Sequence, residues 1–204
     1  MTVLFMKYRY NRFSKRLIYT LVITFCFTLT AQAQQLSEVR NAVKTGEDIK
    51  TGADRTAQYL PLLSGKTVAV VANQTSIIEE KHLIDSLLSL KIKVKKIFCP
   101  EHGFRGDGDA GEELKNHRDK KTDLPVISLY GKNNKPQPAD LKDVDVVLFD
   151  LQDVGVRFYT YISTLHYVME ACAENNKPLI VLDRPNPNGY YVDGPILEDA
   201  FKSF

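Results

Sequence analysis

The stretch Lys66-Thr-Val-Ala-Val-Val-Ala-Asn-Gln-Thr-Ser76 decides the fold. Its uncharged run from Thr67 to Ala72 is rich in β-branched residues. That composition suits a strand buried on both faces, the setting of an interior strand in a parallel sheet. Polar residues end it abruptly, and Leu83, Ile84, Leu87, Leu88 and Leu90 then recur at helical spacing. The same alternation continues outward. Lys91 to Phe98 alternates charged and apolar residues, which predicts a strand near a sheet edge, and Leu124 to Leu129 predicts a short strand. Pro136 and Pro138 bracket a turn before a short helical piece starting at Ala139. Asp145 to Asp150 reads as an apolar strand capped by carboxylates, Tyr161 to Asn175 as a helix, and Pro178 to Asp183 as another buried strand. Strands alternating with helices predict an α/β fold: an open, mostly parallel sheet with helices on both faces.

The N-terminus reads differently. Lys7, Arg9, Arg12, Lys15 and Arg16 precede an uncharged apolar stretch, Leu17 to Thr30, and the small-residue site Ala31-Gln-Ala33. This is the form of a secretory signal peptide over residues 1–33, too short in its apolar part for a membrane anchor. The expected organisation is that signal, a polar leader segment over 34–58, and one α/β domain over 59–204, with a periplasmic or secreted location. Removing the signal leaves 22 basic and 25 acidic residues, a net charge of −3. That balance implies no basic surface for nucleic acid. No membrane anchor is expected after that cleavage. Cys99 and Cys172 remain, either as a disulfide, as free thiols or as a buried pair, and no C-x-x-C suggests zinc.

In an open parallel sheet, ligands bind at the carboxyl ends of the strands. Here those ends deliver Asn73 to Ser76, Pro100-Glu-His-Gly103, Tyr130-Gly131, Asp150 to Arg157 and Asp183-Arg-Pro-Asn-Pro187. Gly106-x-Gly108-x-x-Gly111 matches a dinucleotide fingerprint, but Asp107, Asp109 and Glu112 would repel a pyrophosphate and no apolar helix follows. The same acidic residues suit either a hard cation or a solvated turn, and neither a metal nor any cofactor is expected. There is no G-x-S-x-G for a serine nucleophile. Carboxylate chemistry has more support. Glycoside hydrolysis uses a proton donor and a second carboxylate. Glu101 suits the donor role, with Asp150 and Asp153 as further candidates. Glu101 also suits a turn cap or a partner for Arg105. Arg157 and Arg184 suit either a bidentate clamp on a substrate carboxylate or ion pairs with Asp150, Asp153 and Asp183. Phe158, Tyr159 and Tyr161 suit either a sugar-stacking wall or core packing.

Several segments together resemble the NamZ-type exo-β-N-acetylmuramidases. They are Val71-Ala-Asn-Gln-Thr75, Pro100-Glu-His-Gly-Phe-Arg-Gly106, Ala110-Gly-Glu112, Leu124 to Gly131, Phe149 to Tyr161, and Leu182 to Pro187 with Gly194-Pro195. The resemblance runs over residues 60–200. It implies a Rossmann-like catalytic domain of a glycosidase that removes N-acetylmuramic acid from the non-reducing ends of peptidoglycan fragments. The partners it implies are MurNAc-GlcNAc saccharides, in cell-wall turnover or scavenging, with no nucleotide. It implies that Glu101 is the catalytic glutamate, and the substrate contacts expected on the same rim are Asn73, His102, Arg105, Glu112, Arg157, Tyr159, Asp183, Arg184 and Asn186. Family members carry a second, C-terminal domain, which this chain is expected to lack. The alternatives are a periplasmic sugar-binding domain without turnover and an inactive fragment.

Overall fold

The computed structural model describes residues 49–106 and 115–202. The signal peptide and most of the leader segment lie outside the described residues, as do Asp107, Asp109 and Glu112. Helix α1 (Thr56–Leu63) crosses the boundary expected at residue 58 and buries Tyr59 and Leu63. Strand β1 (Thr67–Ala72) follows, then the two-residue strands β2 (Ile77–Ile78) and β3 (Lys81–His82), and helix α2 (Leu83–Ser89). Next come β4 (Lys93–Cys99), β5 (His117–Arg118), β6 (Pro125–Ser128), helix α3 (Pro138–Leu141) and β7 (Val146–Asp150). Helix α4 (Tyr161–Glu174), β8 (Leu179–Val181) and a 3₁₀ turn (Asp199–Phe201) complete the order.

The main sheet has the order β5-β6-β4-β1-β7-β8, with β5 antiparallel to β6 and every other pairing parallel. Chain direction steps outward from β1 through β4 to β6, then returns to the other side of β1 for β7 and β8. This is the winding of a Rossmann-like domain, with its switch point between β1 and β7. The uncharged strand that decides the fold lies between β4 and β7, with Val70 beside Ile97 and Leu148.

Period-two alternation divides β1 between two cores. Val68, Val70 and Ala72 join Tyr59, Leu63, Leu83, Ile84 and Leu87 of α1 and α2 on one face. Ala69 and Val71 join Leu141, Val168, Ala171 and Cys172 of α3 and α4 on the other. Helices therefore cover both faces. Each fully buried Leu, Ile, Val or Phe side chain contributes roughly 1.5–3 kcal/mol.

Strand β4 corrects one expectation. It is interior, not near an edge, because β6 and then β5 pair beyond it. Among its lysines, Lys96 is 8% exposed, and its ammonium donates to the Asp140 carbonyl (2.7 Å) and the Asp143 carboxylate (2.6 Å). Both partners lie at the end of α3, so the charge is satisfied within the protein.

The two thiols belong to opposite faces of the sheet, Cys99 in one core and Cys172 in the other, and both are free. Burial pushes the Cys99 thiol up to about 12 and the Cys172 thiol up to about 11. The thiolate is the reactive species. Peptide-level mass spectrometry after alkylation of the native protein at neutral pH is therefore expected to find both residues unmodified, and both modified in denaturant. Rapid native labelling of either would contradict its burial.

Candidate active site

Three strand ends meet at the switch point. The segment after β1 is a compact turn. Asn73 Oδ1 accepts hydrogen bonds from the Thr75 amide (2.9 Å) and hydroxyl (2.6 Å). Ser76 Oγ accepts from the Asn73 amide and donates to the Asp150 carbonyl (2.5 Å), which ties the end of β1 to the end of β7. The Asn73 carbonyl meets His82 Nε2 at 2.9 Å, and His82 Nδ1 accepts from the Ile84 amide. Those bonds select the neutral tautomer protonated on Nε2. Burial holds the His82 imidazole below its usual range. His82 thus caps α2 and braces the rim, a role that no motif announced.

Pro100-Glu-His-Gly103 leaves β4 in a tight turn. His102 and Gly103 both take left-handed backbone conformations, φ +69° and +77°. That is uncommon for a histidine and marks a backbone held by its surroundings. The turn places half-buried Glu101 and His102 in a cleft of about 470 Å³. Gln74, from the segment after β1, forms one side of the cleft, and Phe158, Tyr159 and Tyr161, at the start of α4, form another. Among the described residues, Glu101 is the acidic residue lining this cleft. Tyr161 is 6% exposed, whereas Phe158 is 81% exposed. One aromatic therefore serves as core and the other presents an open ring.

Tyr130 also reaches this carboxylate. Its hydroxyl hydrogen-bonds Glu101, and desolvation together with the nearby carboxylate pushes its phenol up. Burial, with Tyr159 and Glu101, affects the Tyr161 phenol in the same direction, against the pull of the Asn73 amide. Asn73 is fully buried, and its Nδ2 lies beside the Tyr161 hydroxyl without forming a hydrogen bond of good geometry. Tyr130 was not singled out as a site residue from the sequence. The signal was the pairing of Cys99 with Ser128, which sets residues two beyond each strand side by side.

The other expected site residues have their own surroundings. Asp150 is fully buried, and its oxygens accept from Arg184 Nε (2.6 Å) and Nη2 (3.0 Å). Arg184 Nη2 also donates to the Ile77 carbonyl. Burial pushes the Asp150 carboxyl up and the guanidinium opposes it. Arg105 forms a bidentate pair with Asp119 (2.7 and 2.8 Å), a carboxylate that also accepts from Thr122 and is held well below its usual range, above all by Arg105. Asp153 accepts from the Gly155 amide with Oδ2, while its Oδ1 is buried without a partner. Asp183 is exposed, and its backbone presses on Gly52, whose amide donates to the Asp183 carbonyl at 2.6 Å. A β-carbon on Gly52 would come within 2.5 Å of the Asp183 nitrogen, so that position admits only glycine. Arg157 and Asn186 line a neighbouring hollow of about 730 Å³, which shares Phe158 with the Glu101 cleft.

A family model described as exo-β-N-acetylmuramidase NamZ, N-terminal, matches residues 68–204. The peptidoglycan β-N-acetylmuramidase NamZ of Bacillus subtilis (strain 168) is 45% identical over 181 residues, which covers 87% of this chain and 44% of that protein. Two crystal structures of DUF1343 family proteins from Bacteroides fragilis superpose with TM-scores of 0.66 at 44% identity. They cover 77% and 76% of this chain, and 40% and 39% of theirs. The chain therefore spans less than half the length of these relatives.

Proposed function

The chain belongs to the exo-β-N-acetylmuramidase NamZ N-terminal family, and from that premise we propose that it carries the proton-donor side of a glycosidase acting on peptidoglycan fragments. The substrate is a saccharide ending in a non-reducing N-acetylmuramic acid, and the product is that sugar set free. The observation that carries the reading is the position of Glu101. It stands at the switch point of a Rossmann-like sheet, in a cleft with aromatic side chains on its wall.

Glu101 gives its proton to the glycosidic oxygen as the C1–O bond breaks, water supplies the hydroxyl that ends on C1, and the water's remaining proton restores the Glu101 carboxyl. Tyr130 fixes the orientation of the carboxyl group through its hydrogen bond. Phe158 and Tyr159 offer ring faces to the sugar. Asp150 and Arg184 neutralise each other and hold the rim together, and Arg105 anchors the Glu101 turn to Asp119. The basic and apolar N-terminal segment directs the chain out of the cytoplasm, where peptidoglycan is found.

The experiment is a comparison of two disaccharides by chromatography and mass spectrometry. The whole chain is expected to release N-acetylmuramic acid from MurNAc-GlcNAc and to leave GlcNAc-MurNAc intact. Cleavage of the second disaccharide, or of neither, would overturn the proposal.

A further inference from the structure

Beside the Glu101 cleft, the hollow around Arg157 has no place in the hydrolytic step. We infer that it is a subsite for a carboxylate carried on the sugar, and that Arg157, not Arg184, selects muramic acid over N-acetylglucosamine. This rests on the reading of the cleft as a muramic-acid site.

The two arginines follow strand ends in similar acidic company, but the fold treats them differently. Arg184 is 7% exposed at its side chain and bound at both forks to Asp150. Arg105 and Arg118 are likewise held bidentately, by Asp119 and Asp123. Arg157 forms no ion pair among the described residues, and it opens into the hollow. A guanidinium there keeps its planar fork for an incoming carboxylate.

The hollow is shaped to leave that fork accessible. Gly194, at φ +90°, backs against it, and a β-carbon there would stand 3.9 Å from Arg157 Nη2. On the other side, Asn186 lies over Gly155, also left-handed at φ +71°, so closely that a β-carbon would come within 2.3 Å of Asn186 Nδ2. Asn186 Oδ1 accepts from the Asn188 amide, which leaves the NH₂ group as a donor. Asp193 also lines the hollow, with its Oδ1 bonded to the Gly194 amide. A guanidinium and an amide donor lining one hollow match the two oxygens of a carboxylate.

The position agrees with the chemistry of the sugar. Muramic acid differs from glucosamine by a lactyl ether on O3, whose carboxylate projects from a different part of the ring than the bond that breaks at C1. Phe158 borders both the Glu101 cleft and the Arg157 hollow. A pyranose lying on that ring presents C1 to Glu101 and its O3 substituent to Arg157. A site built for a charged group discriminates strongly against a ligand that lacks it.

The test is calorimetric titration of the whole chain with N-acetylmuramic acid and with N-acetylglucosamine. The parent protein should bind the first at least tenfold more tightly. Arg157→Gln should remove that preference, to within about twofold, without changing glucosamine binding or the melting temperature. Arg157→Lys should restore part of it. A preference unchanged in Arg157→Gln overturns the inference, as does equal binding of both sugars by the parent, which leaves the sugar cleft itself standing. Binding of neither sugar overturns both readings. An Arg157-dependent preference in a protein that cleaves no disaccharide supports the subsite and removes the hydrolytic reading.

Discussion

Glu101→Gln should lower hydrolysis of MurNAc-GlcNAc by about 10²–10⁴-fold, the usual contribution of a positioned general acid. The amide keeps the size of the side chain and still accepts a hydrogen bond from Tyr130, but it has no proton to give. The loss should therefore depend on the leaving group. A poor leaving group such as the natural sugar alcohol needs the proton, whereas a nitrophenolate departs largely without it. Steady-state kinetics on both substrates should show a deep fall in kcat for the disaccharide, a shallower one for the nitrophenyl muramide, and little change in KM. Glu101 lies outside both apolar cores, so thermal unfolding should match the parent. Equal losses on both substrates would assign Glu101 to another role. Undiminished cleavage of the disaccharide would remove it from the chemistry.

Arg184→Met is expected to be the most destabilising single change at the rim. It leaves the Asp150 carboxylate, 0% exposed, without its guanidinium. Breaking a buried ion pair in this way costs about 3–5 kcal/mol, which for a domain of this size lowers the melting temperature by roughly 10 °C or more. The sign of its pH dependence is diagnostic. Without Arg184, burial and the nearby Asp54 carboxylate both act upward on Asp150, so its folded pKa stands above the unfolded value. Protonation then favours the folded state. The deficit should be smallest as the pH falls toward the ordinary carboxylate value of about 4 and should grow as the pH rises through the folded pKa. Adding Asp150→Asn should return part of the loss at neutral pH. A single variant that melts within a degree or two of the parent would show that the pair contributes nothing.

The five parallel strands were legible, four as short apolar runs and β4 as an alternating one, each ended by Pro, Gly or polar residues. Their order was not, since it depends on which run lies beside which. That is why β4 read as an edge: alternation of Lys93, Lys95 and apolar neighbours is the same pattern whether or not a further strand pairs with it. The two-residue strands β2, β3 and β5 are too short to leave a periodicity. Glu101 was legible as a carboxylate in a glycine turn after an apolar strand. Tyr130 was not, because its reach depends on register between β4 and β6. Arg157 and Arg184 were indistinguishable along the chain. Each lies close to acidic residues, and only the fold decides which carboxylate faces which guanidinium.

The close fit of Gly52 against Leu182 and Asp183 has a consequence for how this protein is made. Residues 49–53 precede the first described strand, yet Gly52 fastens the end of β8, the last of the described strands to leave the ribosome. A contact of such long sequence separation closes late, since the intervening loop entropy must be met first. The nascent domain thus waits with its sheet unsealed until nearly all of the described chain has emerged, and a chaperone that holds it unfolded has that whole interval in which to act.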